Sequence, residues 1–358
     1  MKEFSRQDTK FIKGIAIILM FYHHLFCFPD RIQGVSYTSL FSIQGHTAAD
    51  IIGSFGKICV ALFVFLSGYG TYKQLSGASN PSKVLGKKLL GLYKIYWEVL
   101  IIFVPACFIM NVPQVEKSLK ALVLNFTAIK ITYNGEISFL TPFILLMIYT
   151  PVIMWFSKKI KNIFVSMIMI VLSALFGLYV LPNITATTLG SGLGTTYLYE
   201  LVTMPFVLLL AQYLAGVVCA KYDIFSFIKN RYSENILAWF SSLAIIFLVV
   251  YMRQFNGILY DYIYAPVFSM AVILLFENKA GRWVRKPIEY IGKHSTIMWL
   301  CHSFYCYYLM KKFIFMPKFT PLIVLLLILV TLATSIVIQF IFGRLGILAK
   351  KLGSINMA

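Results

Sequence analysis

Charged side chains are scarce in this sequence, and acidic ones especially so. Of the 358 residues, 13% are Asp, Glu, Lys or Arg and only 13 are acidic, whereas 59% are hydrophobic. A water-soluble chain with so little charge could not cover its surface, so a soluble globular domain is excluded. The mean hydropathy of +0.81 indicates a polytopic membrane protein instead.

Cysteine pairs of the kind that hold metal ions are also absent from the sequence. The six cysteines are residues 27, 59, 107, 219, 301 and 306. All lie in or beside apolar runs, and none forms a Cys-x-x-Cys pair. This pattern is typical of small buried hydrophobic side chains, and we expect no metal site.

Ten apolar segments follow one another along the chain, separated by short polar stretches. They cover about residues 11–28, 48–70, 90–110, 138–157, 162–182, 200–220, 235–252, 262–277, 288–311 and 320–343. Segments of this length and composition are typical of membrane-spanning helices. We therefore predict an all-α fold, with about ten transmembrane helices in one bundle and a single domain over residues 1–358.

The net charge of +19 comes from Lys and Arg that cluster between the apolar segments. Such clusters are typical of positive-inside topology signals and of contact with membrane lipid, so we expect no nucleic-acid partner. With the N-terminus inside, 23 of the 32 Lys and Arg lie on the inner side and nine on the outer side. This asymmetry predicts a plasma-membrane protein with both termini in the cytoplasm.

Two adjacent histidines, His23 and His24, lie in the first apolar segment. Ionisable side chains inside a membrane helix are costly, so the pair indicates a functional site. On an α-helix, Lys13 and His24 point within about 20° of each other and are about 16–17 Å apart along the axis. We therefore expect a cation and a proton-accepting imidazole on one face, with His23 turned away by about 100° as a packing residue.

Three later stretches also carry polar residues at defined positions. The second apolar segment contains Ser67 and Gly68, a small pair that lets helices approach closely and adds a hydroxyl. The basic residues Lys88 and Lys94 follow it. The ninth segment contains the run Gly-Lys-His-Ser-Thr-Ile-Met-Trp-Leu-Cys-His, which ends at His302.

In order and spacing, these motifs resemble those of the acyltransferase-3 family. The family consists of integral-membrane acyltransferases that decorate cell-surface glycans and related molecules. Lys13 and His24 resemble its opening Arg-x10-His motif, with Lys in place of Arg. The second segment resembles its Val-Asp-Leu-Phe-Phe-x-x-Ser-Gly motif, with Ala61 in place of Asp, and the run ending at His302 resembles its Gly-Lys-x-Ser-x-x-x-Tyr-Leu-x-His motif.

The resemblance implies transfer of an acyl group, acetyl by default, from acyl-coenzyme A to a hydroxyl of a cell-surface glycan or a lipid-linked sugar. Its implied catalytic residues here are His24, His302 and Ser67. His24 would either activate the hydroxyl or first carry the acyl group, and His302 would orient His24 or bind the acceptor. The coenzyme phosphates would lie near three cations, which are Lys13, Lys88 and Lys94.

The alternative is a transporter or flippase of glycan or lipid intermediates. Such proteins have a site at the middle of the membrane, broken helices and usually internal repeats. The sequence has no clear repeat, and its histidine pair accompanies a cation rather than a relay of carboxylates. The acyltransferase is therefore the leading hypothesis.

The charge asymmetry generates a prediction about topology. Residues 111–137 and 183–199 should lie outside and both termini inside. A reporter that is active only outside the cytoplasm should work when fused after residue 125 and fail when fused after residue 160. The opposite pair of signals would overturn the orientation.

Overall fold

The computed structural model describes residues 3–43, 45–180, 209–233, 235–278 and 281–355. Within these ranges the chain is almost entirely helical, and one short hairpin pairs β1 (Ser42–Ile43) with β2 (His46–Thr47). The α-helices are α1 (Arg6–Phe26), α2 (Ala48–Gly56), α3 (Cys59–Ser76), α4 (Pro81–Ile109), α5 (Leu119–Phe126), α6 (Leu140–Lys159), α7 (Ile163–Leu175), α8 (Ala211–Lys221), α9 (Ile224–Tyr232), α10 (Ile236–Asn256), α11 (Asp261–Leu275), α12 (Gly281–Ser303), α13 (Lys311–Ile314) and α14 (Thr320–Ile355). The loop predicted at 183–199 lies outside the described residues.

Several of these helices are suited to a membrane. Within the described ranges, five helical stretches are long and apolar enough to cross one: Ala48–Ser76, Pro81–Ile109, Gly135–Lys159, Ile236–Asn256 and Thr320–Ile347. The expectation of an all-helical membrane protein is therefore confirmed. Ten crossings stay a prediction, because α7 and α11 are shorter and α12 carries several charged side chains.

Helix α1 begins five residues before the predicted apolar segment, and its own polar residues explain why. The Ser5 hydroxyl accepts a hydrogen bond from the Asp8 N–H at 3.1 Å, and the Asp8 carboxylate accepts one from the Ser5 N–H at 2.6 Å. This reciprocal pair satisfies two free N–H groups at the helix start. At its other end α1 stops at Phe26, with His24 in its last turn.

The Asp8 carboxylate is fully buried and holds three helices together. It pairs with Lys229 of α9 at 2.9 Å and with Arg285 of α12 at 2.5 Å. Glu277, between α11 and α12, binds the same two cations at 3.4 and 3.1 Å. A buried charge requires such partners, since an unpaired one would be strongly destabilising.

Helices α1 and α12 pack with their backbones in direct contact. A Cβ atom built on Gly292 would lie 1.8 Å from the carbonyl oxygen of Lys10 and 2.8 Å from the nitrogen of Gly14. Only glycine permits this approach, which is a common way for membrane helices to associate. Because Asp8 meets Arg285 and, further along, Gly14 meets Gly292, the two helices run parallel.

Gly68, the small residue singled out in the second apolar segment, also permits a close contact between two helices. A Cβ on Gly68 of α3 would lie 2.1 Å from the carbonyl oxygen of Tyr213 in α8. Helix α2 likewise lies close to α1, where a Cβ on Gly56 would lie 2.3 Å from the carbonyl oxygen of Leu19. The expected close helix contact at the Ser67–Gly68 pair is therefore present.

The α1–α12 contact gives a test of stability. Gly292→Ala should lower the free energy of unfolding by about 1–3 kcal/mol, because the new methyl group overlaps backbone that cannot move aside. Gly91→Ala is the control, since a Cβ there meets nothing within 4 Å. Apparent melting temperatures in one detergent would compare the variants. Equal melting temperatures would show that the close contact contributes little.

Candidate functional site

The two histidines predicted from distant parts of the sequence lie next to each other. The ring centres of His24, in α1, and His302, in α12, are 4.9 Å apart. His302 is fully buried and stacks on Phe21 at 5.4 Å. We call the end of the bundle that contains this pair the histidine end.

A carboxylate that sequence reasoning missed completes the pair. Glu136 lies on a short 3₁₀ turn, Gly135–Ile137, between α5 and α6. Its Oε2 is 2.9 Å from Nδ1 of His24, and only 8% of its side chain is exposed. The carboxylate lies off the N–H direction, so the contact is close without being a straight hydrogen bond.

The position of Glu136 determines what His24 can do. A carboxylate beside Nδ1 favours a proton on that nitrogen and stabilises the imidazolium, which leaves Nε2 to accept a proton. Nε2 of His24 makes no hydrogen bond to any residue that the structure describes. His24 therefore has the arrangement of a general base.

Glu136 has a second partner, Arg31, which follows the end of α1. The Arg31 guanidinium pairs with the other carboxylate oxygen of Glu136, and its Cζ lies 4.2 Å from the centre of the Phe28 ring. Burial would lower the pKa of Arg31, but the Glu136 carboxylate outweighs that effect and raises it. The guanidinium stays charged and favours the ionised form of Glu136.

The loop that carries Glu136 is folded by its own buried polar residues. The Asn125 side chain accepts hydrogen bonds from the N–H groups of Thr132 and Tyr133 at 2.9 and 3.0 Å. The Tyr96 hydroxyl of α4 donates a hydrogen bond to the backbone carbonyl of Asn125 at 2.7 Å. These bonds hold the loop against α4, and α5 lies within the same connection.

The end of α12 fixes the loop and α1 together. Ser303 donates to the side-chain oxygen of Asn134 at 2.7 Å. After Ser303 the helix continues as a π-helix, Phe304–Leu309, and Tyr307 donates its hydroxyl hydrogen to the backbone carbonyl of His24. Wide helical turns of this kind are frequent at functional sites.

The backbone contacts of two histidines define where their protons lie. Nδ1 of His302 is 2.6 Å from the carbonyl oxygen of Trp299, which can only accept, so Nδ1 carries the proton. The Nε2 of His302 is then an unprotonated acceptor, buried without a partner among the described residues. Nδ1 of His23 donates to the Gly53 carbonyl at 2.9 Å, as expected of a packing residue.

Two of the three predicted cations lie together at the opposite end, which we call the lysine end. Lys88 of α4 donates to the Thr71 hydroxyl, and Lys13 is close enough for the two positive charges to repel. Lys13 makes no ion pair or hydrogen bond with a described residue. Lys94 is separate, because it is exposed and lies 3.8 Å from Glu98.

Ser67 is the predicted catalytic residue that the structure does not bring to the histidines. It lies one helical turn from Thr71, and therefore nearer the lysine end. Its hydroxyl is buried, with no hydrogen-bond partner in the described part of the chain. Ser67 is thus free to bind a ligand between the two ends.

The sequence contained a weak signal for the two missed residues. Glu136 is one of 13 acidic residues and lies just before the fourth apolar segment, and Arg31 lies shortly after the first. Their pairing depends on how the loops fold, which periodicity does not describe. Within the described ranges, no cluster of His, Cys, Asp or Glu is suited to a metal ion.

Comparison with known proteins gives one result. A family model described as an acyltransferase domain matches residues 8–340, which is nearly the whole chain. The match includes the histidines, Glu136 and all three lysines. No curated protein and no solved structure matches the chain.

Proposed function

Because this chain belongs to the acyltransferase-3 family of membrane acyltransferases, we propose that it transfers an acyl group from acyl-coenzyme A to a sugar hydroxyl. The acyl group is acetyl by default, and the acceptor is a cell-surface glycan or its lipid-linked precursor. The observation that carries the proposal is the Glu136 carboxylate beside Nδ1 of His24, which leaves Nε2 as the base. The transporter alternative is not favoured, since the family transfers acyl groups.

In the direct route, the acceptor oxygen attacks the thioester carbonyl carbon while its proton passes to Nε2 of His24. The Glu136 carboxylate stabilises the imidazolium that forms. The carbon–sulfur bond then breaks, and the proton passes to the thiolate, which leaves an ester and free coenzyme A. The route through an acyl-histidine requires the same unprotonated Nε2 as nucleophile.

The donor would enter from the lysine end. Lys13 and Lys88 form no ion pair with an acidic residue in the part of the chain that the structure describes, which leaves their ammonium groups available to the phosphates of coenzyme A. Lys13 and His24 are about 16–17 Å apart along α1, a distance suited to the pantetheine arm. Ile17 and Met20 lie between Lys13 and His24 on the same face of α1 and are buried against other helices. The pantetheine arm would therefore pass beside α1, where the Ser67 hydroxyl can bind its amides.

This arrangement implies an orientation in the plasma membrane. With the lysine end at the cytoplasmic side, the donor arrives from the cytoplasm and the acceptor from outside. About ten crossings would then place both termini in the cytoplasm. The charge asymmetry of the sequence supports this orientation.

The first test concerns the base. Release of coenzyme A from acetyl-coenzyme A by purified protein should fall at least about 100-fold in His24→Ala, with or without candidate glycan acceptors, because the proton acceptor is lost. His23→Ala is the matched control and should lose much less, since its ring binds the Gly53 carbonyl. An inactive His23→Ala beside an active His24→Ala would contradict the assignment.

The same assay includes Glu136→Gln. The amide keeps the shape of the side chain but no longer stabilises an imidazolium, so turnover should fall while the KM for acetyl-coenzyme A changes little. Full turnover in this variant would show that His24 acts without the carboxylate.

The second test concerns the cations. Lys13→Ala should raise the KM for acetyl-coenzyme A with a smaller change in turnover. This is the pattern expected when an interaction made equally in the ground state and the transition state is lost. Lys13→Arg should retain activity, because the charge is kept and a guanidinium also binds phosphate. Lys94→Ala is the control and should have little effect, since Lys94 pairs with Glu98. An unchanged KM in Lys13→Ala would remove Lys13 from the donor site.

A further inference from the structure

A cavity of about 520 Å³ adjoins the loop that carries Glu136. Ser138 and Phe139, which follow Glu136 almost directly, form part of its wall. Phe139 also packs against Trp299 with ring centres 5.6 Å apart, one turn before His302. The cavity therefore lies beside the histidine end, and its volume is in the range of small-molecule sites, about 300–1,000 Å³.

Most of the wall is apolar. It includes Ile131, Phe139, Pro142, Leu178 and Leu259. A free polar glycan would lose its water against these side chains without gaining hydrogen bonds, which is unfavourable. A hydrocarbon chain gains stability there instead, because it leaves water.

The polar groups in the wall include a lysine whose ammonium group is not engaged in an ion pair within the described ranges. The side chain of Lys57, between α2 and α3, lies near the Asp261 carboxylate but makes no hydrogen bond or ion pair with a described residue. Both oxygens of the Asp261 carboxylate in the same wall accept hydrogen bonds from one edge of the Arg253 guanidinium, from Nε at 2.8 Å and from Nη2 at 3.0 Å. Since Arg253 compensates Asp261, the charge of Lys57 favours an anionic ligand.

A second polar group in the wall has no partner. Gln212 of α8 is only 6% exposed, and its Oε1 makes no hydrogen bond within the described ranges. A buried amide oxygen without a partner is costly and requires a donor. Because an amide oxygen only accepts, the missing partner is an O–H or N–H group, such as a sugar hydroxyl.

We propose that this cavity binds the acyl acceptor as a phosphate-bearing amphiphile with an attached sugar. The apolar wall holds the hydrocarbon chain, Lys57 binds the phosphate, and Gln212 accepts a hydrogen bond from a sugar hydroxyl. Another hydroxyl of the same sugar then lies at the histidine end. This inference rests on the proposed function, since it names the acceptor class of the same reaction.

The test is equilibrium binding of radiolabelled dodecyl phosphate to the full chain in phosphatidylcholine nanodiscs. Lys57→Ala should weaken binding roughly tenfold, the size of one lost charge-assisted contact. Lys57→Arg should retain binding. Lys120→Ala is the matched control, because Lys120 is exposed at the start of α5 and does not line the cavity. Equal affinity of Lys57→Ala and Lys120→Ala would overturn the proposal.

Competition separates the possible sources of the ligand. A prenyl phosphate should displace dodecyl phosphate, whereas dodecanol and inorganic phosphate should do so only at much higher concentration. Phosphatidic acid should compete poorly. If it competes as well as the prenyl phosphate, the cavity is a site for bilayer lipid and the acceptor assignment is wrong.

The binding measurement does not depend on acyl transfer. His24→Ala should bind dodecyl phosphate as the unmodified chain does, even where coenzyme release is lost. If the unmodified chain releases coenzyme A normally but does not bind dodecyl phosphate, only the cavity assignment is overturned. Binding that depends on Lys57, together with normal release in His24→Ala, would overturn the proposed chemistry alone.

Discussion

The direct backbone contact between α1 and α12 is the constraint on which the candidate site depends. Gly14 and Gly292 allow the two parallel helices to touch, and each histidine lies ten residues further along its own helix. Equal steps along parallel helices bring His24 and His302 to the same level, where their rings meet. The Asp8–Arg285 pair fixes the same register from the other side of the contact.

The two ends of the bundle differ in whether the charged side chains of the candidate site form ion pairs. At the histidine end, the Glu136 carboxylate has both an imidazole and a guanidinium as partners. At the lysine end, Lys13 and Lys88 form no ion pair with a described acidic residue, because the buried Asp8 carboxylate on α1 pairs with Lys229 and Arg285 instead. Paired charge suits proton transfer and unpaired positive charge suits phosphate binding, so this division supports one donor spanning both ends.

Much of the fold could be predicted from the sequence, because long apolar runs have few structures available to them in a membrane. The face shared by Lys13 and His24 also follows from helical periodicity, as does the separate direction of His23. Glu136 and Arg31 could not be predicted, since their pairing depends on a loop folded by Asn125. Hydropathy alone does not indicate the start of α1, because its first turn is polar, with Ser5 as the N-cap and Asp8 completing the capping box.

The π-helix after His302 alters how the rest of the chain can be interpreted. A π-helical turn holds about one residue more than an α-helical turn, so each such turn advances the phase of every later side chain. The rotation of about 100° per residue, which aligns Lys13 with His24 in α1, therefore does not give the direction of side chains beyond Ser303. Tyr307, which donates its hydroxyl hydrogen to the carbonyl of His24, lies within this shifted segment. Deleting a single residue from Phe304–Leu309 would rotate the aromatic side chains that follow away from α1, with no change in composition.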